Sequence, residues 1–133
     1  MIVVDASAMV ELLMVTETGL RVADRLRTDE ILCAPQLLVI ECLQVFRRFA
    51  QIGAIDEHTG DALVGDLRAF AIDLYDHNLV ATRVWELRDN LTAYDAAYIA
   101  LSELLDVTLL TTDAKLGGAP GHRARVELIH NRR

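Results

Sequence analysis

Leu91-Thr92-Ala93-Tyr94-Asp95-Ala96-Ala97-Tyr98-Ile99-Ala100-Leu101, followed by Leu109-Leu110-Thr111-Thr112-Asp113, is the stretch whose reading decides the fold. Thr92 followed three residues later by Asp95 is a helix start with a reciprocal capping partner, so the spacing predicts a helix with the Asp95 carboxylate at its N-terminus. Val107 to Thr111 then reads as a short apolar strand that stops at two threonines and an aspartate. Asp113 is delivered at the carboxyl end of that strand, the edge of an open α/β sheet where ligands bind.

Toward the N-terminus, Ile2-Val3-Val4 is the β-branched run of a strand buried on both faces, and it stops at Asp5. A helix-forming segment, Ala6 to Leu13, follows. Ser7 reads as a cap or as a hydroxyl neighbour of Asp5, and Asp5 itself admits an ordinary N-cap role. Thr16 to Arg27 predicts a second helix with Leu20, Ala23 and Leu26 on its apolar side. Arg21 and Arg25 lie one turn apart on the other side, either solvated or on phosphates. Ile31 to Ala34 is a strand candidate, and Pro35 suits the first turn of the helix that follows.

From Gln36 to Gln51 the helical pattern is strong, with Leu38, Cys42, Val45 and Phe49 as the stripe. Glu41 falls on the edge of that stripe, half buried, where a carboxylate needs a cation, a hydrogen-bond donor or a metal. An ion pair with Arg48 or another arginine is the alternative. Gly53 ends this helix and Asp56 opens another. Ala71 to Tyr75 alternates as a strand, and Asp76 caps a helix through Val80, Val84 and Leu87 with Trp85 in the core. Gly117-Gly118-Ala119-Pro120-Gly121 reads as a loop, Val126 to Ile129 as a fifth, edge strand, and 130–133 as a flexible tail. Strands alternating with helices imply a mainly parallel α/β sheet of about five short strands flanked by helices.

The composition narrows the function. At 133 residues the sequence fits one domain, 1–133, and 53% hydrophobic with 25% charged residues is a globular balance. No apolar run is long enough to span a bilayer, and the first residues form a strand pattern rather than a leader, so a cytoplasmic protein without membrane contact is expected. Cys33 and Cys42 are too few for a disulfide framework and read as reduced and buried. Lys115 is the single lysine, and 13 basic against 20 acidic residues give −7, which argues against a broad basic nucleic-acid face. It leaves room for a nucleic-acid enzyme whose carboxylates hold metal.

Asp5 and Asp113 fall on one sheet edge, Asp95 at the start of the helix leading into the fourth strand, and Glu41 on a helix able to pack over that edge. Four converging carboxylates repel one another without cations, and an all-oxygen set points to Mg²⁺ or Mn²⁺ rather than zinc. Such ions suit phosphodiester chemistry. No Ser/His/Asp or Cys/His set competes. His58, His77, His122 and His130 lack metal spacing, and the glycines near 117–121 do not form a phosphate loop before a helix. A phospho-acceptor signalling domain needs an acid pair beside the first strand, and only Asp5 stands there.

These residues carry a resemblance. Ile2-Val3-Val4-Asp5-Ala6-Ser7-Ala8, Glu41 in an apolar helix, Leu91 to Leu101 around Asp95, and Leu109 to Leu116 around Asp113 together resemble the PIN-domain family, in particular VapC-type toxin ribonucleases. The resemblance spans essentially the whole sequence. It implies a PIN fold and a Mg²⁺- or Mn²⁺-dependent endoribonuclease acting as the toxin of a toxin-antitoxin pair. The implied metal-binding and catalytic acids are Asp5, Glu41, Asp95 and Asp113, with Ser7 and Thr111 at flanking hydroxyl positions. It also implies a VapB-type antitoxin whose tail fills the groove, and a homodimer. RNA contacts then fall to arginines such as Arg21, Arg25, Arg47 or Arg48. The competing expectation is a non-catalytic PIN-like protein that binds RNA or a partner.

Overall fold

The computed structural model describes residues 1–27 and 31–130. The expected tail beyond His130 lies outside the described residues. Five parallel strands form one sheet in the order β3-β2-β1-β4-β5: β1 (Ile2–Val4), β2 (Leu32–Pro35), β3 (Ile72–Tyr75), β4 (Leu109–Thr111) and β5 (Val126–Leu128). The central strand β1 is wholly buried, as a strand covered on both faces must be. Val3 and Val4 pair with Leu109 and Leu110.

The chain builds β1, β2 and β3 outward to one side and then returns to lay β4 and β5 on the other. The strand order therefore reverses between β1 and β4, and a crevice opens at the carboxyl ends of those two strands. Three helices border it: α1 (Ala6–Met14), α3 (Leu37–Gln51) and α6 (Ala93–Leu105). The other helices are α2 (Glu17–Arg25), α4 (Glu57–Ala69), α5 (Ala81–Glu86) and the short α7 (Ala114–Gly118). Among the described residues no helix is long and apolar enough to cross a membrane.

Local chemistry starts the helices where the sequence placed their caps. Asp5, Thr16, Asp56 and Thr92 each accept a backbone N–H in the first turn of α1, α2, α4 and α6. The core differs from the sequence reading at several points. α2 buries Thr18, Gly19 and Val22 and leaves Leu20 58% exposed. The reason is close packing on α1: a Cβ at Gly19 would lie 1.9 Å from the Glu11 carbonyl oxygen, so the helix turns its small residues inward. Trp85 is 67% exposed rather than core, and the Arg88 guanidinium lies 4.5 Å from its ring centroid. Asp76 caps a 3₁₀ turn, His77–Leu79, and the break before α5 leaves Val80 and Leu87, not Trp85, facing inward. Pro35 closes β2 instead of opening a helix. Residues 117 and 118 end α7, where Leu116 is buried.

Candidate active site

Asp5, Glu41, Asp95 and Asp113 all line one open cleft of about 750 Å³ over the carboxyl ends of β1 and β4. Each arrives from a different element. Asp5 follows β1 and caps α1, Glu41 stands on α3, Asp95 is in the first turn of α6, and Asp113 caps α7 just after β4.

Asp5 is the most enclosed, 6% exposed, and its environment is built from both sides of the crevice. The Ser7 hydroxyl donates to Oδ1 at 2.7 Å, the Ala8 backbone N–H donates to the same oxygen at 3.0 Å, and the Thr111 hydroxyl donates to Oδ2 at 2.5 Å. Ser7 Oγ in turn accepts from the Thr112 N–H, and Thr111 Oγ1 accepts from the Asp113 N–H, both at 3.0 Å. Each hydroxyl thus spends its one proton on Asp5 and uses a lone pair to hold the turn that carries Asp113. Ser7 and Thr111 orient one acid and position another. Burial dominates the Asp5 carboxyl and pushes its pKa up to about 6, helped by the nearby charge of Asp113 and opposed by the three donors.

Glu41 receives a hydrogen bond from the Tyr98 hydroxyl at 2.6 Å. This replaces the ion pair with Arg48 considered from the sequence: among the described residues none of the four acids is paired with an arginine or lysine. Tyr98 is buried, one turn after Asp95 on the same helix, and the sequence alone assigns it no role in the site. Its spacing to Asp95 was the available signal. Burial raises both Glu41 and Asp95; Asp95 adds to the rise at Glu41, and Asp113 adds to it at Asp95. The Thr92 hydroxyl accepts from the Asp95 N–H, while no bond returns from the Asp95 carboxylate.

The donor set is all carboxylate oxygen. Among the described residues, Glu41 Oε2, Asp113 Oδ2 and both Asp95 oxygens have no hydrogen-bond partner. Three acids whose pKa values are raised, Asp5, Glu41 and Asp95, on one cleft with Asp113 and with no cation paired to any of them among the described residues, fit a hard divalent ion. No group of three or more His, Cys, Asp or Glu is drawn together into a ready-made coordination cluster among the described residues, so these side chains line the cleft without closing on a point. The cysteines lie apart from this chemistry: both are free and buried, and burial pushes the Cys42 thiol up to about 12.

The arginines separate clearly. Arg25 pairs with Glu127 at 2.7 Å and Arg21 donates to the His130 carbonyl, tying α2 to β5 and the segment after it. Arg47 lines a different groove, between α3 and α4. Arg48 is on the acidic cleft, two turns after Glu41 on one face of α3.

A parallel sheet with acids gathered at its strand-order reversal defines an α/β protein with an acidic cleft at the carboxyl ends of its strands. The chain belongs to the PIN-domain family, whose pattern it matches over residues 2–120, and to the VapC type within it. It is 36% identical over 129 residues to Ribonuclease VapC12 of Mycobacterium tuberculosis, covering 97% of this chain and 99% of that protein. Ribonuclease VapC1 of the same organism is 36% identical over 128 residues, 96% of each. Among solved structures, VapBC2 from Rickettsia felis bound to a promoter DNA fragment superposes with a TM-score of 0.69 at 12% identity, covering 96% of this chain and 98% of that one. VapC20 of M. tuberculosis, a sarcin-ricin loop cleaving toxin, gives 0.67 at 13% identity over 92% and 97%.

Proposed function

We propose that this chain is a Mg²⁺- or Mn²⁺-dependent endoribonuclease that acts as the toxin of a toxin-antitoxin pair. The observation that carries the reading is the gathering of Asp5, Glu41, Asp95 and Asp113 on one cleft with, among the described residues, no basic side chain paired to any of them. Relatives that share 36% of their residues with it across nearly the whole chain are named ribonucleases.

In this reading Asp5, Asp95 and Asp113 would hold the ion, and Glu41, fixed by Tyr98, would hold it or orient its water. When bound, such an ion lowers the pKa of its water and offsets charge on the phosphate, so no histidine base is required. Ser7 and Thr111 each donate to one Asp5 oxygen and so fix the orientation of its carboxylate. A VapB-type antitoxin is the expected partner, in line with solved relatives that are themselves toxin-antitoxin complexes. Self-association as a homodimer is part of the same reading. It is supported by an apolar groove beside the cleft lined by Val80, Val84 and the exposed Trp85.

The experiment is incubation of the purified chain, free of antitoxin, with total RNA in Mn²⁺, in Mg²⁺ and in chelator, alongside Asp95→Asn. Discrete fragments that need metal and vanish in the variant are expected. A folded chain that cuts nothing under either metal would overturn the nuclease reading in favour of RNA or partner binding alone.

A further inference from the structure

We propose that His77 is a positioning residue for the candidate site: its imidazole caps the first turn of α3 and so holds Glu41, one turn further on, in reach of the ion. This rests on the metal-dependent reading of the cleft and adds to it a residue that lies outside the cleft.

α3 starts unlike the helices around it. α1, α2, α4 and α6 each begin on an aspartate or threonine whose side chain accepts a first-turn N–H. At α3 the cap position is Gln36, which is itself helical, with φ −54° and ψ −29°, and makes no side-chain cap hydrogen bond among the described residues. The acceptor comes instead from 40 positions along the chain: the Leu37 N–H donates to His77 Nε2 at 2.9 Å. An imidazole accepts at Nε2 only when it is neutral with its proton on Nδ1. The preceding N–H, that of Gln36, donates to the Tyr75 carbonyl at 3.0 Å. Two successive N–H groups at the start of α3 are thus held by β3 and the 3₁₀ turn after it. That turn is fixed in its own right, because Asp76 Oδ1 accepts the Asn78 N–H at 2.8 Å and so presents His77.

Leu37 links this clamp to the acids. In an α-helix each N–H bonds to the carbonyl four residues back, so the Glu41 N–H closes on the Leu37 carbonyl and the two side chains lie on one side of the helix. A single residue therefore takes His77 at its N–H and Glu41 at its carbonyl. Further along, α3 is held by packing on α1 and α4, so loss of the cap is felt at its start, where Glu41 stands. The carboxylate itself is held by the Tyr98 hydroxyl at 2.6 Å. Tyr98 thus fixes the end of the Glu41 side chain, and His77 fixes the turn of backbone that carries it.

The test is direct Mn²⁺ binding by the full chain, read from the electron paramagnetic resonance signal of the free ion, with folding checked by circular dichroism. His77→Leu removes the acceptor at a surface position, and the dissociation constant for Mn²⁺ should rise by about fivefold, the equilibrium worth of one helix cap. His77→Gln, whose amide oxygen can take the place of Nε2, should restore the affinity to within about twofold. The same pair of substitutions is then made in a Glu41→Gln chain. There His77→Leu should change nothing further, because its effect passes through Glu41. Unchanged Mn²⁺ affinity in a folded His77→Leu chain would overturn the proposal. So would a glutamine that fails to restore binding, or a fivefold loss that persists in the Glu41→Gln chain, since the histidine would then support the fold at large rather than this acid. The two readings fail distinguishably. An unaltered chain that binds no Mn²⁺ removes the metal reading and the role of His77 with it, whereas binding that needs Glu41 and ignores His77 removes the positioning role alone.

Discussion

Replacing Asp5 with asparagine should abolish cleavage and, in the metal-free protein at neutral pH, make the fold more stable. Burial raises the Asp5 carboxyl from 3.8 to about 6. The native state therefore holds this proton more tightly than the unfolded chain does. The associated stability is complete below pH 3.8 and is lost as pH rises through about 6, above which the buried charge is carried in full. At about 1.4 kcal/mol per pH unit, the span corresponds to ~3 kcal/mol. Asparagine keeps an oxygen for Ser7 and Ala8 but leaves the Thr111 hydroxyl to find a new acceptor, which costs about 1 kcal/mol. The net gain of ~2 kcal/mol raises the melting temperature by roughly 5 to 10 °C for a chain of this size. The assay is thermal unfolding followed by circular dichroism in chelator at pH 4 and pH 7.5, for both proteins. The gap should be present at pH 7.5 and nearly closed at pH 4. Added Mn²⁺ should raise the melting point of the unaltered chain and leave Asp5→Asn where it was. A variant no more stable than its parent at pH 7.5, or a gap of equal size at both pH values, would refute the burial argument.

Two further substitutions probe the groups behind the acids. Tyr98→Phe removes the donor to Glu41 while keeping the ring in the core, and should raise the Mn²⁺ needed for half-maximal cleavage by about tenfold, as expected from a charge-assisted hydrogen bond of ~1.5 kcal/mol; a metal titration of activity measures it, and an unchanged midpoint would show Glu41 to be held by other means. Thr111→Val removes a donor that lowers the Asp5 pKa, so the acid limb of the pH–activity profile should move to higher pH, with cleavage at pH 6 falling more than cleavage at pH 8. A parallel loss at both pH values would assign Thr111 to the geometry of the turn alone.

What the sequence determined by itself is what local chemistry controls. A β-branched run ending in Asp5, a Thr92 cap three residues before Asp95, and a strand closing on Thr111-Thr112-Asp113 specify elements and their ends through nearest-neighbour backbone preferences and hydrogen bonds. They also name Asp5, Asp95 and Asp113, because an aspartate at a strand end or in a helix's first turn has a direction before any packing occurs, while Glu41 stands out as a carboxylate on the edge of an apolar helical stripe. Tertiary structure decided everything that joins distant residues. The placement of β4 beside β1 brings Thr111 to Asp5 across 106 positions, and the packing of α3 and α6 on the same sheet brings Tyr98 to Glu41 across 57. It also decided which face of an amphipathic helix meets the core. Periodicity gives α2 an apolar side of Leu20, Ala23 and Leu26, yet contact at Gly19 leaves Leu20 outward while Leu26 still packs on the core, and Trp85 is left exposed on a helix too short for its own pattern to orient it. The same rotation of helices sends Arg47 to one groove and Arg48 to the acidic cleft, a choice between adjacent residues that only the packing of α3 against its neighbours can make.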